Sequence, residues 1–263
     1  MTTIKATETP KLTNPILIVG LPGIGNIGRV AVGYLVSELK AKKFADLHSE
    51  HFFPFVILEE SYEVKLLKNY FHYWKAKGAA KRDLVFVTGD CQSQSSEGHY
   101  EVAEAVLDFA KKLGVKDVIT VGGLATGEVE SAPVVYATLS DSKLKGKFAK
   151  LKLDFEVGKK VGYIVGAAGL MLGLGKERGM KGICLLGETS GFPIVTDPKA
   201  AEAVLGVLVK ILGIKISMKE LESRVKEMEN FIKKIESLQK KAVMEIVKES
   251  KPGSKGDELR YIG

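Results

Sequence analysis

Through its first two hundred residues the chain alternates short apolar runs with stretches of helical spacing, and this alternation limits the fold more than any other feature. PILIVG (Pro15–Gly20), DLVFVT (Asp83–Thr88), Val118–Val121 and Gly182–Leu186 are four to six residues long, the length of buried strands. Between them, Gly28–Leu39 spaces Val30, Ala31, Tyr34, Leu35 and Leu39 as a helix does, and Gly98–Leu113 does the same. Asp197–Leu212 is a third helix with Pro198 at its first position, where the missing N–H costs nothing. Phe53–Leu58, Val134–Leu139 and Lys150–Phe155 read as further strands, and Glu60–Lys77 as a polar, hairpin-like stretch carrying Tyr70, Phe71, Tyr73 and Trp74. Strands that alternate with helices predict an α/β fold, a three-layer sandwich around a mainly parallel or mixed sheet.

A different pattern begins near residue 215. From Ser217 to about Glu249 the apolar residues recur every three or four positions: Met218, Val225 and Ile232 fall seven apart, as do Leu221, Met228 and Ile235. This is the seam of a coiled coil, or of a helical arm that packs on another helix or folds back on its own domain. Past it, KESKPGSKGDE has almost nothing to bury and predicts a disordered tether before the final Leu259-Arg260-Tyr261-Ile262-Gly263. The fourteen residues from Ser250 to Gly263 would span roughly 20 Å as a flexible chain. The expected organisation is a core at 1–214, an arm at 215–249 and a tail at 250–263.

Composition narrows the function. With 263 residues the chain is long enough to bury roughly 75% of its unfolded surface. Two cysteines, Cys91 and Cys184, provide neither a disulfide framework nor a CxxC zinc motif. The opening MTTIKATETPKLT lacks the apolar stretch of a signal peptide, which predicts a cytoplasmic protein. The most apolar run, Val161–Gly175, is interrupted by five glycines and falls short of the ~20 residues a membrane span needs. It reads as a buried strand leading into a glycine-rich turn and a short helix. A net charge of +7 raises nucleic acid as a partner, but the basic clusters at Lys75–Arg82 and Lys143–Lys160 are nearly all lysine. Arginine, which makes the bidentate phosphate and guanine contacts, is scarce there, so a solvated face or an acidic protein partner fits better.

Two turns invite chemistry. Gly23, Gly25 and Gly28 spell G-x-G-x-x-G between a strand and a helix, the spacing that lets a backbone approach a dinucleotide pyrophosphate. The acidic residue that should close the next strand is missing: FADLHSEHFF (Phe44–Phe53) offers only Asp46 and Glu50. A turn that serves packing alone is the other reading. Cys91 and His99 share a loop between a strand and a helix and would form a thiolate–imidazole pair if folded together. The serines and Glu97 of that loop serve equally well as helix caps. His48 and His51 flank Glu50 but would need further ligands to hold a metal.

PILIVGLPGIGNIGRVAVGYLVSELKAKKFADLHSEHFFP, together with GICLLGETSGFPIVTDPKAAEAVLGVLVKILG and the charged helix behind it, resembles the proteasome-assembly chaperones and their archaeal homologues in particular. The likeness runs from Pro15 to Glu249. It implies a phosphorylase-like fold without the phosphorylase catalytic groups, no cofactor, and a non-enzymatic, ATP-independent role on the α-subunit ring of the 20S proteasome as activator or assembly chaperone. It also implies a homo-oligomer, with a tetramer favoured, in which the arms present several tails. Proteasome activators end in a hydrophobic–Tyr–X motif whose carboxylate pairs with a lysine between α subunits. The nearest equivalent is Tyr261-Ile262-Gly263 behind Leu259 and Arg260, with the tyrosine third from the end. The alternative is a nucleotide-binding or nucleoside-processing enzyme built on Gly23, Gly25 and Gly28.

Overall fold

In the computed structural model the four apolar runs lie side by side as parallel strands at the centre of one sheet. The structure describes residues 1–59, 61–77, 82–127, 132–191, 196–221, 223 and 237–238. In chain order the elements are β1 (Thr2–Ala6), β2 (Ile16–Gly20), α1 (Ile27–Glu38), β3 (Lys42–Ser49), β4 (Val56–Leu58), β5 (Val64–Leu66), β6 (Asn69–Trp74) and β7 (Leu84–Gly89). They continue with α2 (Ser96–Lys112), β8 (Asp117–Ala125), β9 (Val135–Leu139), α3 (Val157–Lys160), α4 (Ala167–Glu177), β10 (Lys181–Thr189) and α5 (Pro198–Leu212). Eight strands form the main sheet in the order β1-β3-β6-β7-β2-β8-β10-β9, while β4 and β5 pair apart from it. The neighbours β7, β2, β8 and β10 are parallel. The flanking pairs are antiparallel, which makes the sheet mixed.

Side-chain alternation along the central strands builds two cores. Leu17, Val19, Val85 and Val87 point to one face, where Val102, Val106 and Leu107 of α2 and Met171 of α4 cover them. Ile16, Ile18, Leu84 and Phe86 point to the other, under Val30, Tyr34 and Leu35 of α1 and Val204, Leu205 and Leu208 of α5. A strand buried on both faces must be apolar at every position, which is why these runs are continuous and not alternating. The helix caps follow their sequence signals. Asp197 accepts from Ala200 N at 2.9 Å, Ser95 accepts from Gly98 N at 3.0 Å, and Gly213 ends α5 in the left-handed region.

Several sequence expectations change. Lys150–Phe155 is not a strand: the stretch is a 3₁₀ segment, Ser142–Phe148, then irregular chain, with one isolated bridge between Tyr136 and Asp154. Leu144, Phe148, Leu151 and Leu153 each turn an apolar group inward, the last three onto the α1/α5 core, and β9 already occupies that sheet edge. No strand precedes α4 in Val161–Gly175, because the sheet positions beside β8 are taken by β2 and β10; Tyr163 and Val165 lie exposed instead. Phe53–Leu58 contributes only the short β4, outside the main sheet. Glu60–Lys77 divides between β5 of the hairpin and β6 of the main sheet.

The first turn of α1 sits directly on β8. A Cβ on Gly28 would come 2.4 Å from the Val121 carbonyl oxygen. That oxygen belongs to a strand paired on both sides, so it cannot retreat. Gly28→Ala should therefore lower unfolding stability by about 3 kcal/mol, the upper end of overpacking costs. Chemical denaturation checks this, and an unchanged midpoint would show that α1 shifts freely.

Candidate functional site

The parallel strands β2, β7, β8 and β10 all end at one edge of the sheet, where open α/β folds hold ligands and catalytic groups. The loops that follow these strands, called here the carboxyl edge, bring the two chemistry-bearing turns together. The glycine turn comes first. Gly23 is extended, Gly25 has φ 63° and Asn26 φ 50°, so the chain passes through the left-handed region just before α1. The backbone N–H of Asp197 donates to the Gly25 carbonyl at 2.9 Å, which seats the start of α5 on the turn. Gln92 closes the crevice from the other side. Its Nε2 donates to the Pro22 carbonyl, and its Oε1 accepts from Ala167 N at 2.8 Å.

What remains between Gly23, Ile24, Gln92 and Ile164 is a cleft of about 60 Å³. Ligand pockets run roughly 300–1,000 Å³. Gly28 thus serves close packing of α1 on β8 and Gly25 seats the start of α5, and the cleft left beside them is well below that range. Asp46, one of the two acidic residues weighed as a ribose partner, pairs with Lys43 at 3.0 Å and Lys68 at 3.5 Å. Glu50 pairs with the amino terminus.

Cys91 does not become a nucleophile. It is buried, and that burial, with the neighbouring Asp90 carboxylate, pushes its thiol up to about 12. Burial also lowers the pKa of His99. Among the described residues no hydrogen bond joins the two. Asp90 itself is buried and accepts from the Tyr70 hydroxyl at 2.8 Å and Lys68 N at 3.1 Å.

A cluster that sequence spacing did not indicate lies beside them. His51 Nε2 is 2.9 Å from Glu101 Oε2, and its Nδ1 is 3.3 Å from Ser95 Oγ. Hydrogen bonds from Thr2 and His51, together with the amino terminus, hold the Glu101 carboxyl low, at about 2. The order Ser–His–Glu resembles a catalytic relay, but Ser95 Oγ is also the acceptor that caps α2. Gly98 leaves no room for a Cβ against His51 and Ser93. The cluster braces the loop after β3 against α2. Its members stand 44 and 6 positions apart in the chain, so only the helix cap was legible beforehand.

Of the GETSGFP segment, Gly187, Glu188 and Thr189 end β10. Buried Glu188 accepts from Val134 N at 3.2 Å and from the Tyr136 hydroxyl at 3.3 Å, and Lys160 in turn donates to that hydroxyl. His48 lies 3.4 Å from the Leu67 carbonyl, and no cluster among the described residues could hold a metal. No helix among them is long and apolar enough to cross a membrane.

Some of the basic residues gather at the opposite, amino edge. Lys147, Lys150, Lys181 and Lys210 rim a cavity of about 620 Å³ floored by Ile16, Leu84, Ile119 and Ile183. Arg82 at the same cavity is held by Asp117 at 2.6 Å. Of the arm seam, Met218 packs against the α1/α5 core and Leu221 is buried in it. The Tyr34 hydroxyl donates to the Ser217 carbonyl at 3.1 Å, fixing the chain where it leaves α5. Val225, Met228, Ile232, Ile235 and the terminal Leu259, Arg260, Tyr261, Ile262 and Gly263 lie outside the described residues.

Fold and edges together define a mixed α/β sandwich with a crevice closed by packing. The chain belongs to the PAC2 family, whose profile matches residues 17–236. It is 44% identical to Pyrococcus furiosus PbaB, an archaeal proteasome activator, with a TM-score of 0.80 over 89% of this chain and 98% of that one. P. furiosus PbaA, an archaeal homologue of proteasome-assembly chaperone, shares the fold at 24% identity and a TM-score of 0.73 over 92% and 99% of the two chains. An uncharacterised protein of Methanocaldococcus jannaschii is 37% identical over 209 residues, 80% of this chain and 78% of its own.

Two outcomes follow from this geometry. Iodoacetamide at pH 8 should alkylate Cys91 of the folded protein on the order of 10³-fold more slowly than a free thiol. Labelling at the free-thiol rate, located by mass spectrometry, would contradict the burial described. Millimolar ATP, AMP or NAD should leave the melting temperature within about 1 °C of its value without ligand. A rise of several degrees would reopen the glycine turn as a nucleotide site.

Proposed function

We propose that this protein is a non-enzymatic, ATP-independent binder of the α-subunit ring of the 20S proteasome, acting as activator, assembly chaperone or both. The observation that carries the reading is its 44% identity to an archaeal proteasome activator over nearly the whole of both chains. Docking is assigned to Leu259, Arg260, Tyr261, Ile262 and Gly263, whose apolar groups and terminal carboxylate suit an apolar pocket beside a lysine. The working organisation is a core at 1–214, an arm at 215–249 and a tail at 250–263, in a cytoplasmic homo-oligomer. Arm residues Val225, Met228, Ile232 and Ile235 pair between chains, a tetramer being the favoured state. Several tails on one oligomer would then gain affinity through avidity.

The test is peptidase activity of the 20S proteasome with the full chain and with a variant ending at Glu258. Stimulation by the full chain, lost on truncation at unchanged melting temperature, is the expected result. Equal stimulation or equal binding by both forms would remove the tail from the mechanism. If neither form alters peptidase activity, capture of free α subunits by the full chain separates an assembly role from none.

A further inference from the structure

The cavity at the amino edge serves neither the closed crevice nor the proposed tail docking. It opens where β2, β7, β8 and β10 begin, and each of these strands gives one floor residue: Ile16, Leu84, Ile119 and Ile183. All four are buried members of the α1/α5 core. Leu144, Phe148 and Leu151, from the segment after β9, form one wall, and Ile211 with Leu212 at the end of α5 form another. At about 620 Å³ the space lies within the roughly 300–1,000 Å³ of small-molecule sites. Its depth is aliphatic, so water there finds few polar partners and an apolar group that displaces it is favoured.

Polarity rises from floor to mouth. The floor is buried, Phe148, Leu151, Ile211 and Leu212 are half-buried, and Lys147, Lys150, Lys181 and Lys210 are exposed. The lysines come from three places in the fold: the 3₁₀ segment and the chain just after it, the first position of β10, and the last turn of α5. Among the described residues their ammonium groups make no ion pair, whereas Lys42, Lys43, Lys68 and Lys159 do. Asp117 is the one carboxylate in the lining, and Arg82 neutralises it at 2.6 Å. The carboxyl end of α5 adds only about half a negative charge. The mouth therefore carries a net positive charge above an apolar hollow.

We propose that this cavity binds a soluble amphipathic anion, an aliphatic chain of roughly eight to twelve carbons with a doubly charged head such as a phosphate monoester. The chain lies on the isoleucine and leucine floor, and the head stays at the wet mouth among ammonium groups from three sides. Apolar burial supplies most of the affinity, because exposed ion pairs contribute little each. The lysines choose the charge, since a neutral or cationic head leaves four like charges facing one another. Two negative charges offset more of that repulsion than one, which favours a phosphoryl head over a carboxylate. Lysine is suited to it, because it meets phosphate as a point charge without the planar fork of arginine. An acidic peptide fits less well: its backbone polar groups would have to enter an aliphatic hollow unsatisfied. A flat lipid surface fits less well too, because the floor is recessed and buried. The site is independent of proteasome binding and of the tail.

The test is calorimetric titration of the full chain with decyl phosphate below its micellar concentration. One site per chain is expected, with a dissociation constant on the order of 10 μM and a negative heat-capacity change from apolar burial. Butyl phosphate, with the same head and a shorter chain, should bind at least about tenfold more weakly. Lys150→Gln with Lys210→Gln should weaken decyl phosphate about fivefold or more at unchanged melting temperature. Leu151→Trp, which fills the hollow from a half-buried wall, should weaken it about tenfold or more. No binding at about 1 mM would overturn the proposal, as would wild-type affinity in both variants or equal affinity for decyltrimethylammonium. Other occupants would overturn it as well. A variant ending at Glu258 that binds at least about tenfold more tightly would make the tail the occupant. A fall in molar mass by light scattering on adding decyl phosphate would make it a second copy. Co-sedimentation with phosphatidic acid vesicles, lost in the lysine variant, would make it a membrane surface.

Discussion

Close backbone contact between the glycine turn and β8 is the constraint from which the rest of the architecture follows. A Cβ at Gly28 would lie 2.4 Å from the Val121 oxygen, one at Gly123 2.3 Å from the Ile24 oxygen, and one at Gly20 2.2 Å from the Gly28 oxygen. Three glycines from two strands and one helix thus remove every side chain between backbone layers. That lets α1 sink onto the sheet, gives α5 a seat on Gly25, and carries Gln92 close enough to tie Pro22 to Ala167. Of the glycines that spell a dinucleotide fingerprint, Gly28 spends its missing side chain on packing within the protein. Close approach is the physical property of the motif, and what approaches is decided elsewhere in the chain.

Polarity along the strands is the second organising feature. The carboxyl edge collects the exposed apolar residues and the amino edge collects lysines around an apolar floor. Mixing the two would cost little in fold stability, since exposed residues of either kind contribute little to the core. Segregation instead gives one molecule two chemically distinct surfaces, one largely apolar and one rich in lysine. Because α5 runs from the first edge to the second, the C-terminal segment starts beside the lysine-rimmed cavity.

Legibility of the fold tracked burial. β2, β7, β8 and β10 were readable because strands covered on both faces have no choice but continuous apolar runs. β1 and β3 were not: Thr2–Ala6 and Lys42–Ser49 lie toward the outer side of the sheet and mix lysine, threonine and aspartate with single apolar residues. The β4–β5 hairpin misled in the opposite sense. Phe53–Leu58 read as a strand on its apolar content, yet only Val56–Leu58 forms one, outside the main sheet and with Val56 and Leu58 exposed. Lys150–Phe155 alternated as a strand does, yet had no sheet edge left to join. At the site, Gly23, Gly25 and Gly28 were legible as a motif with a packing reading and a nucleotide reading, and the tight contact of Gly28 with β8 supports packing at that position. The His51–Glu101–Ser95 brace was invisible because separate elements deliver it.

A crevice of about 60 Å³ is well below the roughly 300–1,000 Å³ of ligand pockets. Enlarging it would break both hydrogen bonds of Gln92 and leave the Pro22 carbonyl and Ala167 N–H without partners, each a penalty of about 1–3 kcal/mol. Opening therefore has to be driven by a ligand that replaces those bonds, and the cleft lining provides no lysine, arginine or carboxylate to attract one. Among the described residues a cavity of ligand-pocket size, about 620 Å³, lies instead at the amino edge.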